Sequence, residues 1–396
     1  MNMGISPLVS LPPEHLKERK VVVRIDADVS TQDSFKDAFR LEANLKTLRM
    51  INAQGGILRM LAHWGRPGGV RDANLSLRAF LPYFSRTLGR TIHFVDDLYD
   101  EDVYIRLRIS REAVLLENLR FWKGEENNDI AFAEKLARWG DLYVNEAFAN
   151  AHRAHASMVA LAGMLPAYAG LRLSKEVNML STLLEKPARP FFVVLGGAKL
   201  ETKLPLIKRL LPRADGILLG GALANTVLRL SGIEMGKSHL DTTGIDQNFF
   251  LDASVREKLY LPLDVVVAQG RLDAPEQLRT RAVHEISKDE FAADIGEKTI
   301  SVFQKLLGAA RTIVWNGPLG YTEFIAFAKG TRAIAETLAE SSATTIVGGG
   351  DIIAALAPLD VLNQFTHVST GGGAMLAFLS GEELPALTAL QSGSKS

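Results

Sequence analysis

Along most of the chain, apolar runs of strand length alternate with stretches whose apolar residues recur at helical spacing. This is the pattern of α/β units built on parallel sheets. Residues 21–28 read VVVRIDAD, 60–67 read MLAHWGRP, 114–120 read VLLENLR and 143–157 read YVNEAFANAHRAHAS. In each, the apolar run stops at a charged cluster, and open parallel sheets place their ligands at that edge. The last cluster is the densest, with a carboxylate, two histidines and an arginine in one strand-to-loop passage. The amino half thus reads as a holder of an anion.

The second half repeats a different device, a strand that ends in glycines and runs into a helix. Strands expected at 191–195, 217–219, 344–347 and 367–369 lead to Gly196 and Gly197, to Gly220 and Gly221, to Gly348, Gly349 and Gly350, and to Gly371, Gly372 and Gly373. A fifth, at 312–315, runs into Asn316, Gly317 and Pro318. Glycine lets the backbone approach a ligand closely, and the free amides at a helix start bind phosphate oxygens. One such turn is more often structural, but four together point to a phosphate-rich ligand. Neither GxxxxGK[ST] nor GxGxxG occurs at these turns, which excludes a P-loop and a standard dinucleotide fingerprint. Between the halves, Val177, Leu180, Leu183 and Leu184 share one helical face, with Ser174 as the expected N-cap and Pro187 and Pro190 as terminators.

Composition narrows the class. A chain of 396 residues suggests two domains, and 47% hydrophobic residues with no cysteine describe a globular protein of a reducing compartment, expected to be cytoplasmic. Zero formal net charge gives no global field for nucleic acid or an acidic membrane, so small-molecule partners are expected. No apolar run approaches the roughly 20 residues that cross a bilayer, and residues 1–9 lack a signal-peptide pattern.

The motifs RIDAD, HWGRP, LLENLRF, AHRAHAS, LGGAK, VWNGPLG, FAKGT, VGGGD and STGGGA, in this order, resemble phosphoglycerate kinase over nearly the whole chain. The resemblance implies an α/β fold of two Rossmann-like three-layer domains with parallel sheets joined by a hinge helix. The expected boundaries are 1–172 for a phosphoglycerate-binding domain, 173–188 for the connecting helix and 189–379 for a nucleotide-binding domain. Residues 380–396 are expected to pack back on the first domain. It further implies a monomer that moves a phosphoryl group between 1,3-bisphosphoglycerate and ADP, giving 3-phosphoglycerate and ATP, with Mg²⁺ and domain closure. Asp26, Asp28, Arg40, His63, Arg66, Arg120 and Arg153 match the substrate site. Arg40, Lys199, Lys203, Gly350 and Gly373 match the catalytic set. Lys203, Gly197, Gly220, Gly221, Asn316, Glu323, Gly349, Gly350, Asp351 and Ile352 match the nucleotide site, with Gly196 and Gly372 in the same turns and Asp351 as the metal ligand.

The residues suit that chemistry. Phosphoryl transfer needs in-line placement, exclusion of water and positive charge around the transferring group. Arginine pairs bidentately with phosphate and carboxylate oxygens. Lys203 has a bland reading as a solvated helix residue, and Asp351 as a helix N-cap. His152 and His155 read as packing groups, having no nearby third metal ligand.

Two departures stand out from the family pattern. Asp28 replaces the usual asparagine, and a second carboxylate about 4 Å from an anionic substrate costs up to about 4 kcal/mol at an effective dielectric near 20. Ile352 replaces the usual serine or threonine, removing a hydroxyl from the nucleotide turn. Glu146, Trp64, Ala149 and Asn150 are milder changes. These departures support the alternative reading, a divergent nucleotide-binding paralogue with weak activity or a different acyl-phosphate substrate.

Overall fold

The structure, a computed structural model, describes residues 4–29, 34–244 and 246–393, with the backbone alone at 34–38. The chain divides into two compact units, Met1–Ser181 with Glu383–Ser396, and Thr182–Glu382.

The first unit is built on six parallel strands: β1 (Lys20–Arg24), β2 (Ile57–Leu61), β3 (Ile92–Val95), β4 (Ala113–Leu116), β5 (Leu142–Asn145) and β6 (Ala167–Ala169). They lie in the order β3-β4-β2-β1-β5-β6. β2 and β4 are buried at every position, and β1 at every position but its first, as expected of strands covered on both faces. Val21, Val23, Leu58, Met60 and Leu115 share a core with Leu45 and Leu48 of the helix Ser34–Ala53 and with Phe84. Parallel strands need crossovers, so every strand ends at the same edge of the sheet. The helix Pro385–Gly393 belongs to this unit, where the Ala386 amide donates to the Ala151 carbonyl at 3.2 Å.

The second unit repeats the plan with β7 (Phe191–Leu195), β8 (Gly216–Leu219), β9 (Leu259–Tyr260), β13 (Thr312–Asn316), β14 (Thr344–Gly348) and β15 (His367–Ser369), in the order β15-β14-β13-β7-β8-β9. Its strands are likewise parallel. Between β9 and β13 the chain makes a separate antiparallel sheet of β10 (Asp264–Arg271), β11 (Ala274–Ala282) and β12 (Phe291–Ile295). The alternating α/β pattern does not anticipate this sheet, because β11 is mostly exposed and polar and is held by its backbone ladder.

The connecting helix runs Leu171–Glu185, starting earlier than the apolar stripe suggests. Ser174 is not its N-cap: it lies inside the first turn, its amide donating to the Gly170 carbonyl. The first free amides are satisfied from a distance instead. The Leu171 amide donates to Thr47 Oγ1 at 2.9 Å and the Arg172 amide to Glu146 Oε1 at 2.9 Å, while the Thr47 hydroxyl donates to the same Glu146 oxygen at 2.6 Å. Burial pushes the Glu146 carboxyl up to about 8, against those hydrogen bonds.

Candidate active site

The four strands that end in charge, β4, β2, β1 and β5, are neighbours in the first sheet, so their decorated ends share one edge. Asp26, two residues past β1, is buried and held by Asn44, which accepts from its amide at 3.0 Å and donates to its carbonyl at 2.8 Å. Its Oδ1 accepts from the Asp28 amide, while Oδ2 is buried without a hydrogen-bond partner among the described residues. Burial raises the Asp26 carboxyl, with the Arg40 charge opposing.

Arg120, four residues past β4, is completely buried. Its Nη1 donates to the Gly65 carbonyl at 2.6 Å and its Nε lies 3.4 Å from Glu126, but Nε and Nη2 make no hydrogen bond among the described residues. Burial lowers its guanidinium to about 10, so it stays charged at neutral pH. Leaving buried donors unsatisfied costs free energy, and an anion placed against them recovers it.

His63, past β2, accepts at Nδ1 from Arg24 Nη2 at 2.7 Å and turns Nε2 toward Asp28 Oδ2 at 3.5 Å. Burial lowers the ring to about 3, outweighing the Asp28 contact, so the imidazole is neutral. Burial alone would raise the Asp28 carboxyl. The His63 ring, the Gly65 amide at 2.9 Å and the Arg40 charge outweigh it and hold Asp28 well below the usual carboxylate range. Arg40 comes from the helix Ser34–Ala53, and its Nη1 donates to the Asp28 carbonyl at 2.6 Å. Asp26, Asp28, Arg40, His63 and Arg120 are therefore one connected group. Arg153 is half-buried and acts electrostatically on Arg120; Arg66 is exposed and makes no hydrogen bond or ion pair among the described residues.

The second unit builds its site from backbone. The ends of β14, β13, β7 and β8 are neighbours, and at Gly196, Gly220, Gly348 and Gly372 an added side chain would collide with what surrounds it. A Cβ on Gly196 would lie 1.9 Å from the Pro318 carbonyl oxygen, and one on Gly372 would lie 2.8 Å from Gly349 Cα. Gly349 adopts φ +124, which side-chain-bearing residues rarely take. Lys203 is buried, not solvated: its Nζ donates to the Gly196 carbonyl, to the Asn316 carbonyl at 3.3 Å and to Asn316 Oδ1 at 2.9 Å. Asn316 Nδ2 in turn donates to the Gly348 carbonyl, so one lysine and one amide tie three strand ends together. Burial lowers the Lys203 ammonium to about 8, with the Asp351 charge opposing.

Asp351 is exposed in the first turn of the helix Gly350–Leu356, whose N-cap is Gly349, and its side chain caps nothing. It makes no hydrogen bond or ion pair among the described residues. Ile352 is completely buried, so its side chain fills the interior. Lys199, Glu323 and Gly373 are exposed, and neither charged side chain is bonded to the cluster. Gly197, Gly220 and Gly221 line the turns after β7 and β8, where the Gly197 amide donates to the Pro318 carbonyl and the Gly221 amide to the Leu319 carbonyl.

No group of three or more His, Asp or Glu residues stands ready to hold a metal among the described residues. His155 is buried with Nδ1 3.8 Å from Glu125, whereas His152 is exposed. Sequence reasoning passed over Arg24, Glu125 and Ser157, a buried chain behind the first cluster. The signal was available, since Arg24 opens the RIDAD motif and Ser157 closes AHRAHAS.

The family model for phosphoglycerate kinase matches residues 13–382. A phosphoglycerate kinase of Dictyoglomus turgidum is 41% identical over 98% of this chain and 100% of its own, and one of Pelotomaculum thermopropionicum is 42% identical over 95% and 97%. Among solved structures, phosphoglycerate kinase from Coxiella burnetii superposes with a TM-score of 0.86 at 34% identity, covering 99% of this chain and 100% of its own. The kinase from Pyrococcus horikoshii gives 0.82 at 29% identity over 98% and 99%.

Proposed function

From the premise that this chain belongs to the phosphoglycerate kinase family, we propose how its two strand-end clusters divide the reaction. The activity is reversible phosphoryl transfer between 1,3-bisphosphoglycerate and ADP, giving 3-phosphoglycerate and ATP, with a carboxyl group as acceptor in the reverse direction. The first unit holds the phosphoglycerate. Arg120, Arg66, Arg153 and the His63 N–H bind its phosphate, and Asp26 accepts from its hydroxyl. The second unit holds the nucleotide, whose phosphates lie at the helix starts after β14 and β15, against the amides of Gly350 and Gly373, with Glu323 on the ribose hydroxyls.

Arg40 and Lys203 neutralise charge on the transferring group, assisted by Lys199 and by the amides of Gly350 and Gly373. The acceptor carboxylate attacks phosphorus in line with the leaving oxygen of ADP, and no enzyme group is phosphorylated. We propose that closure about the helix Leu171–Glu185 unites the two clusters and excludes water. Asp351 suits a hard cation, because its carboxylate is exposed and unpaired beside a phosphate-binding turn. Mg²⁺ bound there would screen the nucleotide phosphates. We place the enzyme in the cytoplasm as a monomer acting on small molecules alone.

The observation that carries this division is the pair of buried cations. Among the described residues Arg120 has two donors without a hydrogen bond in one unit, and Lys203 is caged among glycine turns in the other. A coupled assay with 3-phosphoglycerate, ATP and Mg²⁺ tests it. Saturable turnover that needs all three supports the assignment; nucleotide binding without turnover contradicts it.

A further inference from the structure

We propose that Arg24 is a positioning residue, fixing the His63 ring with its proton on Nε2 so that a neutral N–H faces the phosphoglycerate site. This rests on the assignment of His63 to that site.

Arg24, the last residue of β1, is completely buried, a costly place for a cation. None of its hydrogen bonds goes directly to a carboxylate. Nε donates to Ser157 Oγ at 2.9 Å, Nη1 to the Ile25 carbonyl at 2.5 Å and Nη2 to His63 Nδ1 at 2.7 Å. The counter-charge is one step away. Ser157 Oγ donates to Glu125 Oε1 at 2.6 Å and the Ser157 amide to Oε2 at 2.9 Å, with Glu125 also completely buried. Tyr143 fastens the same residue, its hydroxyl donating to the Ser157 carbonyl at 2.7 Å.

A guanidinium has only donors, so the direction of the whole chain is fixed. Ser157 Oγ must accept from Arg24 and spend its own proton on Glu125. His63 Nδ1 must accept as well, which leaves its proton on Nε2. The other tautomer would set two donors against each other at Nδ1 and present a lone pair to an incoming anion. A second proton on the ring is opposed by burial and by the charges of Arg24 and Arg120. The ring is thus a neutral donor whose orientation is set from behind. That N–H faces Asp28, which competes with a substrate oxygen for it.

The test is ¹⁵N spectroscopy of the histidine rings, with His63 assigned from its absence in His63→Gln. The expected wild-type ring is the Nε2–H tautomer, unchanged from pH 5 to 8. In Arg24→Leu the ring should become a tautomer mixture. KM for 3-phosphoglycerate should rise about tenfold, the scale of one hydrogen bond to a charged group, with kcat and the KM for ATP little changed. Arg24→Lys, which keeps one donor, should recover part of both effects. If Arg24→Leu does not fold, Arg24→Gln, whose amide can donate to or accept from Nδ1, should give the same mixture in weaker form. A wild-type ring protonated on Nδ1, or a tautomer unmoved in every variant, overturns the proposal. A tautomer that responds while His63→Gln leaves the 3-phosphoglycerate KM untouched overturns instead the assignment of His63 to the substrate site.

Discussion

The two units present the same edge of the same kind of sheet and are built there in opposite ways. At the first edge the work falls to side chains. Arg24, Arg120, His63 and Asp26 are all buried there, and several of their polar atoms wait without partners. At the second edge the work falls to backbone: the glycines pack closely, and Lys203 and Asn316 tie their strand ends together. The first solution should be sensitive to charge and tolerant of small changes in shape. The second should be the reverse, because an added methyl meets main chain that cannot move aside.

The sharpest way to break this contrast is Arg40→Ala. If Arg40 serves the transferring phosphoryl, kcat should fall about 10³-fold, the lower range for an arginine on a phosphoryl transition state, with ATP affinity nearly unchanged. Steady-state kinetics beside ATP titration would check it, and a fall confined to KM would remove Arg40 from the catalytic set. Gly196→Ala should come next. A methyl 1.9 Å from the Pro318 oxygen should weaken ATP binding at least tenfold and cost about 3 kcal/mol of stability in denaturant unfolding, while 3-phosphoglycerate still binds.

The second site has one charge-based weakness, Lys203. Burial lowers it to about 8, so the ammonium proposed to meet phosphate is present below that pH and lost above it. ATP affinity should hold steady from pH 6.5 to 7.5 and then fall by up to about tenfold per pH unit, with bound phosphate delaying the onset. Lys203→Gln should bind weakly at every pH and show no such slope. The smallest effect belongs to Asp28→Asn. Removing a carboxylate that faces His63 should lower the KM for 3-phosphoglycerate about fivefold, near 1 kcal/mol, and an unchanged KM would show that Asp28 costs the substrate nothing.

Much of this was legible before any coordinates. The strand ends stood out because apolar runs such as VVVRIDAD stop abruptly at charge, and the glycine turns because they recur after strands. What escaped notice was set by long-range contacts. The helix Leu171–Glu185 takes its N-terminal acceptors from Thr47 and Glu146, far back in the chain, so the local Ser174 misled. The strand β11 reads APEQLRTRA, too polar to announce itself, and exists because β10 offers it a ladder. Lys203 resembles any solvated helical lysine until the Gly196 turn and Asn316 close around it. Arg24 hid for the opposite reason: a cation inside a strand breaks the pattern, and only Ser157 and Glu125, more than 100 residues later, explain it.

On this division the two ligands should be held independently, one by charge and one by backbone. Isothermal titration of 3-phosphoglycerate and of ATP, separately, into Arg120→Met and Gly372→Ala tests it most directly. Arg120→Met should lose 3-phosphoglycerate binding and keep that of ATP, and Gly372→Ala should do the converse. Loss of both ligands in either variant, or retention of 3-phosphoglycerate in Arg120→Met, would contradict it.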